Sequence, residues 1–173
     1  RGYPEVVLLG QTVNAYRLGD CDFSTLLSRV HAVQGLLRLR FATSHPEHVT
    51  EATANAFRDL PKLGPYLHLP VQSGSEKVLA SMRRGYGAAE YREKVALLRA
   101  KVPDLALSTD VIVGYPGETE EDFQDSLDLL DAIGFEGLFA FTYSPRPGTI
   151  AFRLDDDVPE DEKRRRLRVL NER

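Results

Sequence analysis

Residues 66–86 read YLHLPVQSGSEKVLASMRRGY, and this stretch indicates the fold of the whole chain. A short apolar strand opens it and stops at Pro70, a polar turn follows at residues 72–75 (QSGS), and a helix with an apolar face comes next. Such a turn presents backbone N–H groups and small hydroxyls at a helix N-terminus, which suits an anionic or hydroxylated ligand. An ordinary strand-to-helix connection with Ser75 as N-cap explains the same residues, so the rest of the chain must decide between the two readings.

Composition limits the class of protein. The chain has 173 residues, of which 42% are hydrophobic, enough for one domain with a substantial core. Its net charge of −4 predicts no chain-wide basic surface for nucleic acid. No apolar run approaches the roughly 20 residues that span a bilayer, and no signal-peptide pattern is present, so we expect a cytoplasmic protein without membrane contact. The single cysteine, Cys21, excludes a disulfide and a multi-cysteine metal site within these residues.

The strand–turn–helix plan recurs along the chain. Strands are predicted at residues 5–9, 36–42, 66–69, 106–113 and 138–143. Helices are predicted at residues 23–34, 50–60 and 88–101, and also after Ser75, Thr119 and Pro159. Strand starts separated by roughly 30 to 40 residues, with a helix between them, are typical of βαβ units and a parallel sheet. A barrel is favoured over an open sheet, because neither a dinucleotide fingerprint nor a phosphate-binding P-loop follows any strand.

All five predicted strands end in Gly, Pro and small polar residues. The sequences at these ends are GQTVN, TSHP, PVQSGS, GYPGET and SPRPGT. Ligands of β/α folds bind at the carboxyl ends of the strands, so these loops predict a pocket at one rim. Asp110 lies inside a predicted strand and must face that pocket or find a partner, since a lone buried carboxylate is costly. His45, at another strand end, is expected to face the pocket as well.

Other polar groups have simpler explanations. Thr119 followed by Asp122 predicts a capping box at a helix start. The run KRRRLR at residues 163–168 is predicted to be a solvated helix face, with RNA contact as the alternative. His48 is expected to be solvated. No strand end gathers the carboxylates and histidines expected of a metal site, so no metal ligand is predicted.

Five motifs taken in order resemble those of the radical S-adenosylmethionine (SAM) methylthiotransferases: LLGQTVNAY, RFATSHP, HLPVQSGSEKVLASMRRGY, STDVIVGYPGETEEDF and FTYSPRPGT. The resemblance covers nearly the whole chain. It implies an α/β fold in which residues 1–173 form a partial (β/α)6 TIM-like barrel, truncated at both ends. The first strand with its cluster-binding cysteines, an N-terminal domain and a C-terminal TRAM domain would lie outside. Pro147 and Ile150 depart from the family pattern, which leaves the details of the last loop open.

The motifs GQTVN and HLPVQSGS are most similar to those of the members that act on tRNA. The resemblance implies addition of a methylthio group to C2 of N6-isopentenyladenosine at position 37 of tRNA, through a 5′-deoxyadenosyl radical. It implies SAM and two [4Fe–4S] clusters as cofactors, with the cluster cysteines outside this segment. It also implies tRNA and an electron donor protein as partners. The segment alone is expected to be inactive, and no individual catalytic residue is implied.

The resemblance also implies a cofactor site built from the strand ends. The GQ pair after the first strand would meet the methionyl amino group of SAM, the QSGS turn its ribose and carboxylate, and the GYPG loop its adenine. The glycines of that loop permit close backbone approach. The residues implied as cofactor contacts are Gly10, Gln11, Gln72, Ser73, Ser75, Asp110, Val113, Gly114, Pro116, Gly117 and Arg146.

Other functions remain open at this point. One is a related methylthiotransferase that acts on an aspartate of a ribosomal protein or on threonylcarbamoyl-adenosine in tRNA. Another is a non-catalytic barrel scaffold that binds RNA or protein. A conventional lyase or aldolase barrel is disfavoured, because no lysine lies within a predicted strand to form a Schiff base.

Overall fold

The structure, a computed structural model, describes residues 2–173. The strands are β1 (Glu5–Leu8), β2 (Arg17–Leu18), β3 (Cys21–Asp22), β4 (Arg38–Phe41), β5 (Tyr66–His68), β6 (Ala106–Val113) and β7 (Gly137–Thr142). The helices are α1 (Phe23–His31), α2 (Glu51–Asp59), α3 (Glu76–Ser81), α4 (Ala88–Lys101), α5 (Glu120–Ile133) and α6 (Glu160–Asn171). The chain divides into two compact units, one of residues up to 70 with 93–108 and the other of residues 71–92 with 109–173.

In the first unit, β1 pairs in parallel with β4, and β5 pairs in parallel with the start of β6. Along β4, Leu39 and Phe41 are buried while Arg38 and Arg40 are exposed, so the side chains alternate between the core and the solvent. Phe41 meets Phe23 of α1 edge to face, with ring centroids 4.9 Å apart. Apolar side chains on alternate strand positions and on the inner face of α1 therefore form the core of this unit.

In the second unit, the later part of β6 is flanked by residue 72 on one side and by the end of β7 on the other. Gln72 forms a parallel bridge with Val111, and the Tyr143 N–H donates to the Val113 carbonyl at 2.8 Å. Phe123 and Leu129 of α5 are fully buried, so this helix contributes apolar side chains to the core of the unit. The carboxyl end of β6 is thereby fixed between two neighbouring segments.

Each predicted helix and strand is observed, although α1 ends at His31 and not at residue 34, and β4 is shorter than predicted. The short antiparallel pair β2–β3 was not predicted, because two residues per strand carry no readable periodicity. The first strand is shorter than the predicted range 5–9, because Leu9 lies beyond its end with 73% exposure, and Val7 within it is 44% exposed. The capping box of Thr119 and Asp122 is confirmed at the start of α5.

None of the helices described between residues 2 and 173 combines the length and the apolar character needed to cross a lipid bilayer.

Candidate functional site

A cavity of about 620 Å³ lies in the second unit beside the carboxyl ends of β6 and β7. Its wall includes three of the predicted site residues, Gln72, Asp110 and Arg146. The other lining residues come from β6, β7, the loops after them and the end of α3: Ser81, Met82, Arg83, Arg84, Ile112, Tyr115, Phe141, Thr142, Tyr143, Ser144, Thr149, Ile150 and Ala151. The wall thus combines aromatic and aliphatic surface with three guanidinium groups and one carboxylate, the mixture typical of small-molecule sites.

The backbone of Gln72 adopts a left-handed conformation at this wall, with φ of +77°. The Gln72 N–H donates to the Asp110 carbonyl at 2.8 Å, and the Ile112 N–H donates to the Gln72 carbonyl at 2.9 Å. These two bonds to β6 hold a residue other than glycine in a conformation that costs on the order of 1 kcal/mol. Strain maintained by the surrounding structure is most common at functional sites.

Arg83 is strained as well, with φ of +56°, and it also lines the cavity. It follows Met82, the C-cap of α3, and its N–H donates to the Ala80 carbonyl at 3.0 Å. The next N–H, that of Arg84, donates to the Leu79 carbonyl at 3.2 Å. These two bonds define a Schellman motif whose left-handed position is normally glycine. The sequence interpretation missed both arginines as site residues, although they belong to the motif MRRGY.

The hydroxyls of the QSGS turn point away from the cavity and toward α5. Ser73 Oγ lies 3.3 Å from Ser126 Oγ, and Ser75 Oγ donates to Asp122 Oδ1 at 2.7 Å. Ser75 also accepts from the Val78 N–H at 3.3 Å, which confirms it as the N-cap of α3. Among the described residues, neither serine belongs to the cavity wall. Their contact with a ribose or carboxylate stays a prediction, one that requires these buried hydrogen bonds to open.

Asp122 is the centre of this polar cluster behind the turn. Its carboxylate accepts from Ser75, from the Lys77 ammonium and from the N–H and hydroxyl of Thr119. Burial acts to raise the pKa of Asp122, but the hydrogen bonds from Lys77, Thr119 and Ser75 outweigh it and leave the pKa well below the ordinary value. The carboxylate is therefore charged at neutral pH and joins the turn to α5.

The GYPG loop follows β6, as predicted, and two of its residues have positive φ. Gly114 and Gly117 have φ of +71° and +78°. The Gly114 N–H donates to Glu118 Oε2 at 2.5 Å, which closes the loop on itself. Tyr115 reaches the cavity wall and packs edge to face against Tyr143, with centroids 5.3 Å apart. Val113 and Pro116 are buried, and their contact with an adenine stays a prediction.

The prediction of a solvated helix face at residues 163–168 is wrong for two of its members. The Lys163 side chain is 0% exposed and donates to both carboxylate oxygens of Asp156, at 2.6 and 2.7 Å. The Arg166 side chain is 5% exposed and donates to Glu118 Oε2 at 2.7 Å. A run of basic residues does not indicate which of its members pair with buried carboxylates, so this burial could not be predicted from the sequence.

Gly10 and Gln11 follow β1 in the first unit, and both are exposed. The Gly10 carbonyl accepts a hydrogen bond from the Thr43 hydroxyl. The assignment of these two residues to the methionyl amino group stays a prediction.

The end of β4 gathers two histidines and a carboxylate, contrary to the sequence expectation. Ligand atoms of His45, Glu47 and His48 lie within 4.8 Å of one another, and His45 Nδ1 is 3.9 Å from Glu47 Oε2. The side chain of Asn14 fixes the backbone of His45 through two hydrogen bonds of 2.9 Å. Tetrahedral zinc bonds of about 2.0–2.1 Å place ligand atoms roughly 3.4 Å apart, so these groups are not assembled around a metal position.

Cys21 bears on the iron–sulfur clusters that the resemblance implies. It is the only cysteine of the chain, and it is buried in β3. A [4Fe–4S] cluster is held by several cysteine thiolates, so the residues of this chain do not fit such a cluster.

Comparison with known proteins agrees with this architecture. A family model described as the Radical SAM superfamily matches residues 1–130. A protein of Neisseria meningitidis serogroup A named tRNA-2-methylthio-N(6)-dimethylallyladenosine synthase is 54% identical over 99% of the chain. A protein of the same name from Bordetella pertussis is 53% identical over 98% of the chain.

The chain spans about 40% of the length of these relatives. The parallel strands, each followed by a helix, are those of a partial TIM-like radical SAM fold, which confirms the predicted fold class. The chain belongs to the radical SAM superfamily.

Proposed function

We propose that the chain is the central segment of a tRNA methylthiotransferase that adds a methylthio group to C2 of N6-isopentenyladenosine at position 37. The observation that carries this proposal is the 54% identity, over 99% of the chain, to relatives named tRNA-2-methylthio-N(6)-dimethylallyladenosine synthase. In this proposal residues 1–173 are the radical SAM core. The first strand with the cluster cysteines, the N-terminal domain and the TRAM domain belong to the rest of the protein.

The cavity of the second unit fits SAM in its chemistry. SAM carries an anionic carboxylate and a cationic amino group, together with an adenosyl group that supplies the 5′-deoxyadenosyl radical when SAM is bound in enzymes of this family. The guanidinium groups of Arg83 and Arg146 suit the carboxylate, since Arg recognises carboxylates bidentately. The Asp110 carboxylate suits an ammonium or a ribose hydroxyl, and Gln72 provides both a donor and an acceptor.

The apolar part of the wall has a different task. Tyr115, Phe141 and Tyr143 form the aromatic part of this wall, and a ligand that packs against them displaces water from their surface. Exclusion of water strengthens the electrostatic contacts inside the site and protects a reactive intermediate. Since no cluster fits the cysteine content of this chain, its own contribution to the reaction is to bind and orient SAM.

The partners follow from the same proposal. The net charge of −4 gives this segment no basic footprint, so tRNA binding falls in part to the rest of the protein. An electron donor protein reduces the clusters, and the reaction takes place in the cytoplasm, where tRNA is modified.

Nucleoside analysis of tRNA from a strain that lacks the gene tests the proposal. Methylthio-isopentenyladenosine should disappear, isopentenyladenosine should accumulate, and the wild-type gene should restore the modification. Loss of the methylthio group from threonylcarbamoyl-adenosine, or from a ribosomal-protein aspartate, would instead identify one of the related methylthiotransferases. Persistence of all three modifications would favour the scaffold interpretation.

A further inference from the structure

The start of α6 and the loop just before it surround the GYPG loop with buried charges. The aliphatic part of Lys163 covers Gly114 so closely that a Cβ atom at Gly114 would lie within 3.0 Å of it. The Lys163 ammonium lies 5.6 Å from the centroid of the Tyr143 ring, and both Tyr143 and Tyr115 line the cavity. Lys163, which does not itself line the cavity, therefore contacts both Gly114 of the loop and Tyr143 of the cavity wall.

Arg166 binds Glu118, the residue that directly follows the GYPG loop. Its guanidinium donates to the Glu118 carboxylate at 2.7 Å and to the Glu118 carbonyl at 3.1 Å. Glu118 in turn accepts from the Gly114 N–H. Burial raises the pKa of Glu118, against the hydrogen bonds from Gly114 and Arg166 that lower it. The pair thus links α6 to Gly114, the first residue of the loop, and to Glu118, the residue that directly follows the loop.

A third link comes from the residues just before α6, where Asp157 Oδ1 accepts from the Gly117 N–H at 2.7 Å. Three groups at residues 114–118 thus have hydrogen bonds that depend on α6 or on the residues just before it. They are the N–H groups of Gly114 and Gly117 and the carboxylate of Glu118. Charged side chains are rarely buried, and removing one partner of a buried pair is strongly destabilising.

We propose that Lys163 and Arg166 are positioning residues that set the GYPG loop, and with it Tyr115, in the conformation that receives the adenosyl part of SAM. This inference rests on the proposed function for the identity of the ligand. It concerns α6, whose residues do not belong to the cavity wall in the described part of the chain. The ligand itself meets the loop, and α6 fixes the loop.

The test measures ligand affinity and stability separately, on the full-length protein purified without oxygen. The variants are Arg166→Met and Lys163→Met, and the ligands are SAM and 5′-methylthioadenosine, which has the adenosyl part without the amino-acid part. We expect each variant to raise the Kd for both ligands at least tenfold. Arg165→Met is the matched control, because Arg165 lies on the same helix but pairs with Glu120 and Glu162 outside the loop. Its Kd values should stay within twofold of wild type.

If Arg166→Met does not fold, the double variant Glu118→Met with Arg166→Met replaces it, since exchanging a buried ion pair for apolar side chains is often neutral for stability. A folded variant with lower stability but unchanged Kd for 5′-methylthioadenosine would show that α6 only stabilises the fold, and the inference would be wrong. Absence of binding in the wild-type protein would instead contradict the proposed function.

Discussion

Ser75 Oγ donates a 2.7 Å hydrogen bond to Asp122 Oδ1, and this bond joins the turn that opens α3 to the first turn of α5. The other carboxylate oxygen of Asp122 accepts from Thr119, the N-cap of α5. One buried carboxylate thus accepts hydrogen bonds from the N-cap residues of two helices, α3 and α5. The Gln72 backbone, at the cavity wall, lies only three residues before this bond, so the geometry of the wall depends on it.

Asp122→Asn should therefore destabilise the protein at neutral pH by about 2 kcal/mol, because a charge-assisted network becomes a neutral one. The pKa of Asp122 is depressed in the folded protein, so its contribution is complete above the unfolded pKa of about 3.9 and declines as the pH falls toward the folded pKa. Urea unfolding at pH 7, 5 and 3 measures this. The difference in unfolding free energy between the wild type and the variant should be the same at pH 7 and pH 5 and smaller at pH 3.

The matched control is Asp125→Asn, at an exposed position of the same helix. Its unfolding free energy should stay within about 0.5 kcal/mol of wild type at every pH. A constant difference between wild type and Asp122→Asn from pH 7 to pH 3 would show that the carboxylate is not the source of the stability.

Gly74→Ala should prevent the turn from packing on α5. A Cβ at this position would lie within 3.0 Å of the Asp125 carbonyl and of Ser126 Cα, both of them backbone atoms that cannot move alone. We expect a loss of about 3 kcal/mol or more, typical of overpacking against a rigid neighbour. Gly64→Ala is the control, because the nearest atom there is the flexible Arg40 Cγ at 3.9 Å. Chemical denaturation of both variants should show a clear difference, and equal stabilities would contradict the packing argument.

Substitutions at Gly114 and Gly117 distinguish two ways in which replacing a glycine destabilises the protein, namely backbone strain and steric overlap of the new Cβ. Both have positive φ, but only Gly114 has Lys163 against it, whereas nothing lies within 4 Å of a Cβ at Gly117. Gly117→Ala should cost about 1 kcal/mol from backbone strain alone. Gly114→Ala should cost at least twice as much and should also weaken SAM binding, and Gly114→Val should weaken it further. Denaturation and equilibrium dialysis with SAM measure the two effects, and equal costs at the two positions would contradict the contact with Lys163.

The sequence predicted the parallel fold well because long strands and helices carry their periodicity locally. The bounds of α4 and β6 agree residue for residue with the predicted ranges, and the capping box of α5 is a purely local signal. The place of Gln72, Asp110 and Arg146 on one wall followed from the rule that strand ends meet at a rim. The direction of a side chain is harder to predict, since Ser73 and Ser75 turn toward partners about 50 positions away in the sequence.

The burial of Lys163 and Arg166 is the largest departure from the expectation. Both belong to a run of basic residues, which in isolation is typical of a solvated surface. Only the fold shows that Asp156 and Glu118 lie opposite them. Long-range ion pairs of this kind leave no pattern in a single sequence, so the role of α6 could not have been inferred without the structure.

Arg83→Gly should increase the stability of the protein and weaken its binding of SAM. Arg83 occupies the left-handed position of the Schellman motif, so glycine there removes strain and should stabilise the protein by about 0.5–1 kcal/mol. The neighbouring Arg84 does not have a positive φ, so Arg84→Gly should destabilise it by a similar amount through backbone entropy. Each variant removes one guanidinium from the cavity wall. We therefore expect both to weaken SAM binding, about threefold to tenfold, while their melting temperatures move in opposite directions.

Thermal unfolding and SAM dialysis on the same preparations measure both quantities. Opposite shifts in stability with a common loss of affinity would show that Arg83 retains a strained conformation because its side chain serves the cavity, a balance typical of functional sites. If Arg83→Gly is more stable and binds SAM as tightly as wild type, the guanidinium of Arg83 has no part in the site. In that case Arg84 and Arg146 would remain as the cationic groups of the wall that can meet the carboxylate of SAM.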